Sequence, residues 1–376
     1  MKNSYLIPVL LFGLICALPS CEADKVSIKY YSEEEYETLT ASLNLPENPF
    51  SYSTSFVPDH RTDAVATLGR VLFYDKNLSK DNSVSCASCH KQNLAFADDV
   101  PFSQGIEGRS TARNSIALGV FRSFSEYSND PGTTLFWDGR VDNLHDQMIE
   151  TIANPNEMGM ELHEIKEKIK DLEYYKILTL KAFNTEVLSE SLILFSLEGF
   201  MNSINSSRSK FDNAARSSFI PEANWDLLTD AENEGKQLFI NHCQNCHSNG
   251  LEEISSFFND IRSANNGLDL VYTDKGAGEF DNSPDALAIF KVPSLRNIEL
   301  SAPYMHDGRF ATLEDVIDFY SEGIQGHVNL HPFLKENGHP KRFNFTETEK
   351  EALIQFLKTL TDTKMVTEAK WSDPFI

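Results

Sequence analysis

Two five-residue stretches constrain this chain more than anything else in it. The first is Cys86-Ala-Ser-Cys89-His90 and the second is Cys243-Gln-Asn-Cys246-His247. In Cys-x-x-Cys-His, two thiols three positions apart can each add across a haem vinyl group. The adjacent histidine then falls beneath the iron as its proximal ligand. A chance match, a redox dithiol or half of a zinc site is the competing reading of one copy. Two complete copies in one exported chain point to two covalently bound haem c groups.

The chain's start supports export. Lys2 is followed by an apolar run, Tyr5 to Leu18, too short to span a bilayer as a mature helix. It ends in Leu18-Pro-Ser-Cys21, which resembles a bacterial lipoprotein box. In that reading residues 1–21 are a signal, and Cys21 is acylated and anchors the protein on the periplasmic side. Pro19 is unusual in such a box, and cleavage near Ala23 is the alternative. Of six cysteines, Cys16 leaves with the signal, Cys21 would carry lipid, and four belong to the motifs. None remains for a disulfide framework. The formal charge of −23 argues against a nucleic-acid partner, which requires basic patches.

Residues 22–60 read as an acidic tether with local helix from Glu33 to Leu43. Helical spacing is expected over Ala64–Tyr74, Leu144–Ile152, Glu161–Ala182 and Thr185–Ile204. Ser206 to Trp225 reads as a polar connector and sets the expected boundary between a domain at 61–220 and another at 221–376. Thr229, with Glu232 three residues on, opens a helix that leads into the second motif. Thr312–Tyr320 and Thr346–Leu360 close the chain. No convincing strand alternation is present. The expected fold is all-α, with two cytochrome c-like helical haem domains that share the order helix, motif, irregular loop, helix.

Further ordered motifs carry a resemblance. They are Gly69-x-x-Leu72-Phe73-x-Asp75, Arg113-Asn114, Phe136-Trp-Asp-Gly-Arg140, Asn154-Pro-Asn-Glu157-Met158, Lys291-Val-Pro-Ser-Leu-Arg-Asn297 and Ala302-Pro-Tyr-Met-His-Asp-Gly308. From Leu68 to Leu360 the chain resembles the bacterial di-haem cytochrome c peroxidases and the related di-haem enzyme of methylamine utilisation. The resemblance implies a peroxide site at the N-terminal haem and electron entry at the C-terminal one. It implies reduction of hydrogen peroxide with electrons from a small periplasmic donor, a cytochrome c or a cupredoxin-like protein. Homodimers are common in that family.

Residue by residue, the resemblance makes Trp137 the aromatic between the haems; the bland reading is a buried core indole. It makes Glu157 the acid–base group over the peroxide-site iron, although a lone Glu after Asn-Pro otherwise reads as a helix-start acid. Gln147 matches a pocket glutamine. Asn114, Ser301 and Pro303 match the ligands of a calcium ion held by oxygen atoms; ordinary turn chemistry is the alternative.

Two positions depart from the peroxidase pattern. Where reductively activated members carry a loop histidine that ligates the resting peroxide-site iron, this chain has Ile106. Residues 91–144 contain no histidine. The usual methionine ligand of the second haem is replaced by Tyr320, as in the methylamine-utilisation enzyme, with Met305 as the competing candidate. A phenolate in place of a thioether lowers an iron potential. The alternatives to the peroxidase reading are therefore an oxidase of the methylamine-utilisation type, which removes electrons from a protein or other substrate at long range, and a non-catalytic electron-transfer cytochrome.

Overall fold

The computed structural model describes residues 31–45, 63–119, 134–218, 220–247 and 262–376. The signal, Cys21 and most of the tether lie outside these. Among the described residues no helix is long and apolar enough to cross a membrane.

Twelve α-helical segments, joined by short 3₁₀ and π turns, and only two-residue strand pairs make up the described part. They are α1 (Glu33–Leu39), α2 (Asp63–Tyr74), α3 (Cys86–Cys89), α4 (Leu144–Ala153), α5 (Leu162–Ile169), α6 (Glu173–Phe183), α7 (Glu190–Ser203), α8 (Lys210–Ser217), α9 (Asp230–His242), α10 (Gln244–His247), α11 (Leu313–Asp318) and α12 (Glu347–Lys358). Strand β1 (Ser263–Ala264) pairs antiparallel with β2 (Phe290–Lys291), and β3 (Lys335–Glu336) with β4 (His339–Pro340). The mostly helical expectation holds.

The local rules of helix initiation operate as the sequence predicts. The side chains of Thr229, Thr312 and Thr346 each accept a hydrogen bond from the backbone N–H three residues on, and the carboxylate at that position accepts one from the threonine N–H. The stretch expected as one helix over Glu161–Ala182 is two, α5 and α6, separated at Lys170–Leu172.

Two large apolar clusters organise the molecule. In the first, α2 packs on α7, and Leu68, Leu72, Phe73, Leu197 and Phe200 are buried beside Cys86. In the second, α9 packs on α12, and Phe239, Leu353, Phe356 and Leu357 are buried beside Cys243. Both pairs use one device. A Cβ on Gly69 would lie 1.8 Å from the Ser196 carbonyl oxygen, and one on Gly235 would lie 1.9 Å from that of Ala352. The helices therefore approach backbone to backbone at a glycine.

Three segments are placed differently from expectation. The polar connector contains α8, whose Phe211, Ala214 and Ala215 join the second cluster with Trp225. That apolar stripe, at spacings of three and four, is masked in sequence by Ser, Arg, Lys and Asn around it. The chain thus crosses between clusters before Lys210, ahead of the expected boundary at 220. Within the tether, Leu43 is buried and Tyr36 packs on the first cluster. The tail beyond α12 returns to that same cluster, where Met365 and Trp371 are buried. Arg70 fixes the tail through Nε to the Ser372 carbonyl at 2.7 Å.

The glycine contact gives a simple expectation. Gly235→Ala should lower the denaturation midpoint, by about 1–3 kcal/mol of overpacking, although alanine is the better helix former by about 1 kcal/mol. A midpoint that stays or rises would contradict the close approach of α9 and α12.

Candidate active site

Both Cys-x-x-Cys-His motifs face one continuous cavity of about 490 Å³. Cys86, Cys89 and His90 line one end with Phe73, Leu144 and Leu197; Cys243, Cys246 and His247 line the other with Phe239, Leu353 and Leu357. The His90 ring Nδ1 stands 2.8 Å from the Phe96 carbonyl oxygen, and the His247 Nδ1 stands 3.1 Å from that of Pro293. A carbonyl at Nδ1 holds the proton there and leaves Nε2 with its lone pair, the arrangement of an iron-ligating histidine.

The rival readings of the motifs lack support in this geometry. Burial pushes the Cys86 and Cys243 thiols up to about 12 and Cys89 to about 11, whereas a reactive dithiol needs a lowered value. Among the described residues, no three His, Cys, Asp or Glu side chains converge as a metal site, so a zinc pair would have no partners. An apolar cavity, four free thiols and two oriented imidazoles fit two haem c groups.

Above the first motif, the turn after α4 carries Glu157 into the cavity wall, and Gln147 lines the same cavity from α4. Burial pushes the Glu157 carboxyl up to about 7; a hydrogen bond from Asn154 and the nearby Arg140 charge pull against that rise. The Gln147 amide donates to Thr151 Oγ1 at 3.3 Å.

Ile106 is buried at the base of the loop that precedes this turn. Its N–H donates to the Glu157 carbonyl at 2.9 Å, and Arg109 donates to the Pro155 carbonyl at 3.1 Å. A Cβ on Gly105 would sit 2.0 Å from the Asn156 carbonyl oxygen. Loop and turn are thus joined backbone to backbone, and the Ile106 side chain packs against the turn, where a Cβ on Gly159 would lie 2.4 Å from its Cδ1. His145 is engaged elsewhere, 3.2 Å from Glu198.

Trp137 lines the cavity and its indole N–H donates to the Asn114 carbonyl at 2.8 Å. The Asn114 N–H in turn donates to the His306 carbonyl at 2.8 Å. Next to it, Arg113 grips Asp274 with two hydrogen bonds of 2.7 Å and pairs with Asp138 through Nη1. The Asn114 side chain donates to the carbonyls of Val100 and Pro101 at 3.2 and 3.3 Å, and Ser301 and Pro303 lie on the same cavity wall.

The motifs Phe136–Arg140 and Met305–Arg309 are two copies of one turn, a relation the sequence carries in the shared Asp-Gly-Arg. Each is closed by an antiparallel bridge, Leu135 to Val141 and Tyr304 to Phe310. Each places a non-glycine residue in the left-handed region, Phe136 at φ +61° and Met305 at φ +76°. His306 thereby occupies in the second half the place of Trp137 in the first.

Around the second motif, Tyr320 and Met305 both line the cavity. Tyr320 sits in a π-helical turn, Phe319–Gly323, that continues α11; such turns are frequent at functional sites. Asn266 Nδ2 lies 3.5 Å from the Tyr320 hydroxyl and 3.6 Å from the Met305 sulfur. Burial pushes the phenol up to about 12.

Residues 63–218 match the family model described as di-haem cytochrome c peroxidase. The cytochrome c551 peroxidase of Nitrosomonas europaea is 32% identical over 79% of this chain and 80% of its own. The chain belongs to the di-haem cytochrome c peroxidase family. It is an oxidoreductase of that type, with the methylamine-utilisation enzymes as a close variant. The methylamine utilization protein MauG of Methylorubrum extorquens is 29% identical over 94% of this chain and 95% of its own. Among solved structures, a MauG-like protein associated with microbial copper homeostasis superposes with a TM-score of 0.70 at 31% identity, covering 86% of this chain and 99% of that one.

Sequence reasoning did not single out Asn266 or Asp274, and it named Asn154 and Lys291 only as members of motifs, without a role. Lys291 is half-buried, donates to the Thr134 carbonyl at 2.7 Å, and has its ammonium pushed down to about 8 by desolvation. Asp274 and Asn266 lie in a Gly- and Asn-rich stretch with no local signal. Only the fold brings them to the site.

Proposed function

We propose that this chain is an exported, periplasmic di-haem peroxidase that reduces hydrogen peroxide to water with electrons from a small redox protein. Each half is a haem domain, and Cys21 anchors the mature chain by lipid. The single observation that carries the reading is a half-buried carboxyl, Glu157, with its proton affinity raised to about 7, in the wall of the cavity that Cys86, Cys89 and His90 also line. The haems, when attached, supply redox-active iron and the electrons for O–O cleavage.

Peroxide takes up two electrons and two protons and leaves as two waters. Glu157 accepts the proton of one peroxide oxygen and returns it to the other, work that calls for a carboxyl poised near the working pH. Gln147 orients the peroxide or its water by hydrogen bonding. Ile106 offers no ligand atom, and its loop is tied to the Glu157 turn, so the site is open without prior reduction. Trp137, held by Asn114, fills the space between the two motifs. Tyr320 would be a ligand to the second haem iron, with Asn266 within reach of its hydroxyl at 3.5 Å. Asn114, Ser301 and Pro303 would supply oxygen atoms to a calcium ion.

Ile106 and Tyr320, together with similarity to MauG over nearly the whole chain, favour a second reading. In it, the oxidising power generated from peroxide is spent on a protein or other substrate held outside the haem cavity.

Two measurements bear on these roles. Glu157→Gln should keep both haems and lower peroxide turnover by about 10²–10⁴. In the wild type, turnover should rise through about pH 7, because Glu157 must be ionised to accept the first proton. That limb should vanish in the variant; equal turnover would remove Glu157 from the mechanism. Tyr320→Met should raise the potential of one haem only. Unchanged potentials in a redox titration would return the ligand role to Met305.

A further inference from the structure

Asn154 closes α4, and every polar group it has is engaged. Its N–H donates to the Glu150 carbonyl at 3.0 Å, and its own carbonyl accepts from Glu157 at 2.9 Å and Gly159 at 3.0 Å. In the side chain, Oδ1 accepts from the Asn156 N–H at 2.9 Å. That contact fixes the sense of the amide, since an oxygen is needed opposite an N–H donor. The NH₂ group must then point the other way, where Nδ2 donates to Glu157 Oε1 at 2.7 Å.

We propose that Asn154 is a positioning residue for the acid–base step, holding Oε1 of Glu157 as a permanent acceptor so that Oε2 alone takes and gives the proton. The proposal rests on Glu157 being the acid–base group. An amide NH₂ cannot accept, so a proton on Oε1 would face a donor and lose the hydrogen bond. The two carboxyl oxygens are therefore unequal before substrate arrives. The same bond stabilises the ionised form against burial.

The other groups around Glu157 do not duplicate this. Arg140, in the turn after Trp137, acts on it by charge; Cys86 and Cys89 lie beneath it and become thioethers on haem attachment. Gln147 on α4 is neutral, and Arg109 in the preceding loop is committed to the Pro155 carbonyl and Glu107.

The test compares Asn154→Asp, Asn154→Ala and Glu157→Gln as oxidised holo-proteins, with haem content and circular dichroism checked in each. Two curves are read, the pH dependence of the haem absorption band and the pH dependence of kcat. Asn154→Asp keeps the acceptor for the Asn156 N–H but replaces the donor by a second carboxylate. Its midpoint should move upward in both curves, by more than that of Asn154→Ala. Loss of the donor alone should move it by about one to two pH units, the worth of one hydrogen bond to a charged group.

Unmoved or lowered midpoints in haem-replete Asn154→Asp overturn the proposal, as does loss of haem from both Asn154 variants, which would make the residue a folding element. Should only the Asp variant lose haem, the midpoint of Asn154→Ala decides. Glu157→Gln separates the two levels. If it retains wild-type curves, the reading of Glu157 fails; if it loses them while Asn154→Asp titrates normally, only the role of Asn154 fails.

Discussion

The arrangement of both halves hangs on the backbone of Asn114. Its carbonyl takes the indole N–H of Trp137, and its N–H is given to the carbonyl of His306. The backbone of one residue therefore touches the two copies of the Asp-Gly-Arg turn, one from each half. Arg113 reinforces the join with paired bonds to Asp274 and a further bond to Asp138. A paired guanidinium–carboxylate contact adds direction as well as energy. Removing one partner of such a group would cost about 3–5 kcal/mol where burial is complete. A tryptophan held at both its side chain and, through Lys291, its main-chain carbonyl has little freedom to leave its place.

At the N-terminal motif, the decisive contest is between burial and hydrogen bonding. Burial raises the proton affinity of Glu157, and Asn154 and Arg140 pull against that rise, leaving the carboxyl at about 7. A group at that point can both accept and release a proton in one cycle. The loop carrying Ile106 shares main-chain contacts with the Glu157 turn, so moving the loop would also displace the carboxyl. An enzyme that had to move this loop in order to open its iron would disturb its own acid–base group. On the proposed reading, Ile106 in that loop is apolar and buried, and no such movement is needed.

Much of this was legible in the chain because the signals were local. Both haem motifs, the threonine capping boxes and the helix before each motif depend on residues within a few positions of one another. The irregular stretches were harder. Helix α8 was hidden because its apolar stripe is only three residues wide. The docking of Leu43, Met365 and Trp371 on one cluster joins segments more than 300 residues apart, which no pattern announces. Among the site residues, Glu157, Gln147, Trp137, Tyr320 and Met305 do line one cavity. Asn154 was visible as the first residue of a motif, but its role was not, because that role lies in an amide orientation set by Asn156, a property of geometry rather than of residue type. Tyr320, which the sequence favours over Met305, shares the cavity wall with it, and Asn266 stands 3.5 Å from the hydroxyl and 3.6 Å from the sulfur.

The central claim is that the peroxide site is open at rest. It is tested most directly by mixing hydrogen peroxide with the fully oxidised holo-protein and with the same sample reduced by one electron, and following peroxide loss in both. Prompt consumption by the oxidised form is the predicted result. Consumption only after reduction would mean that a ligand closes the N-terminal iron at rest, contradicting the role given to Ile106.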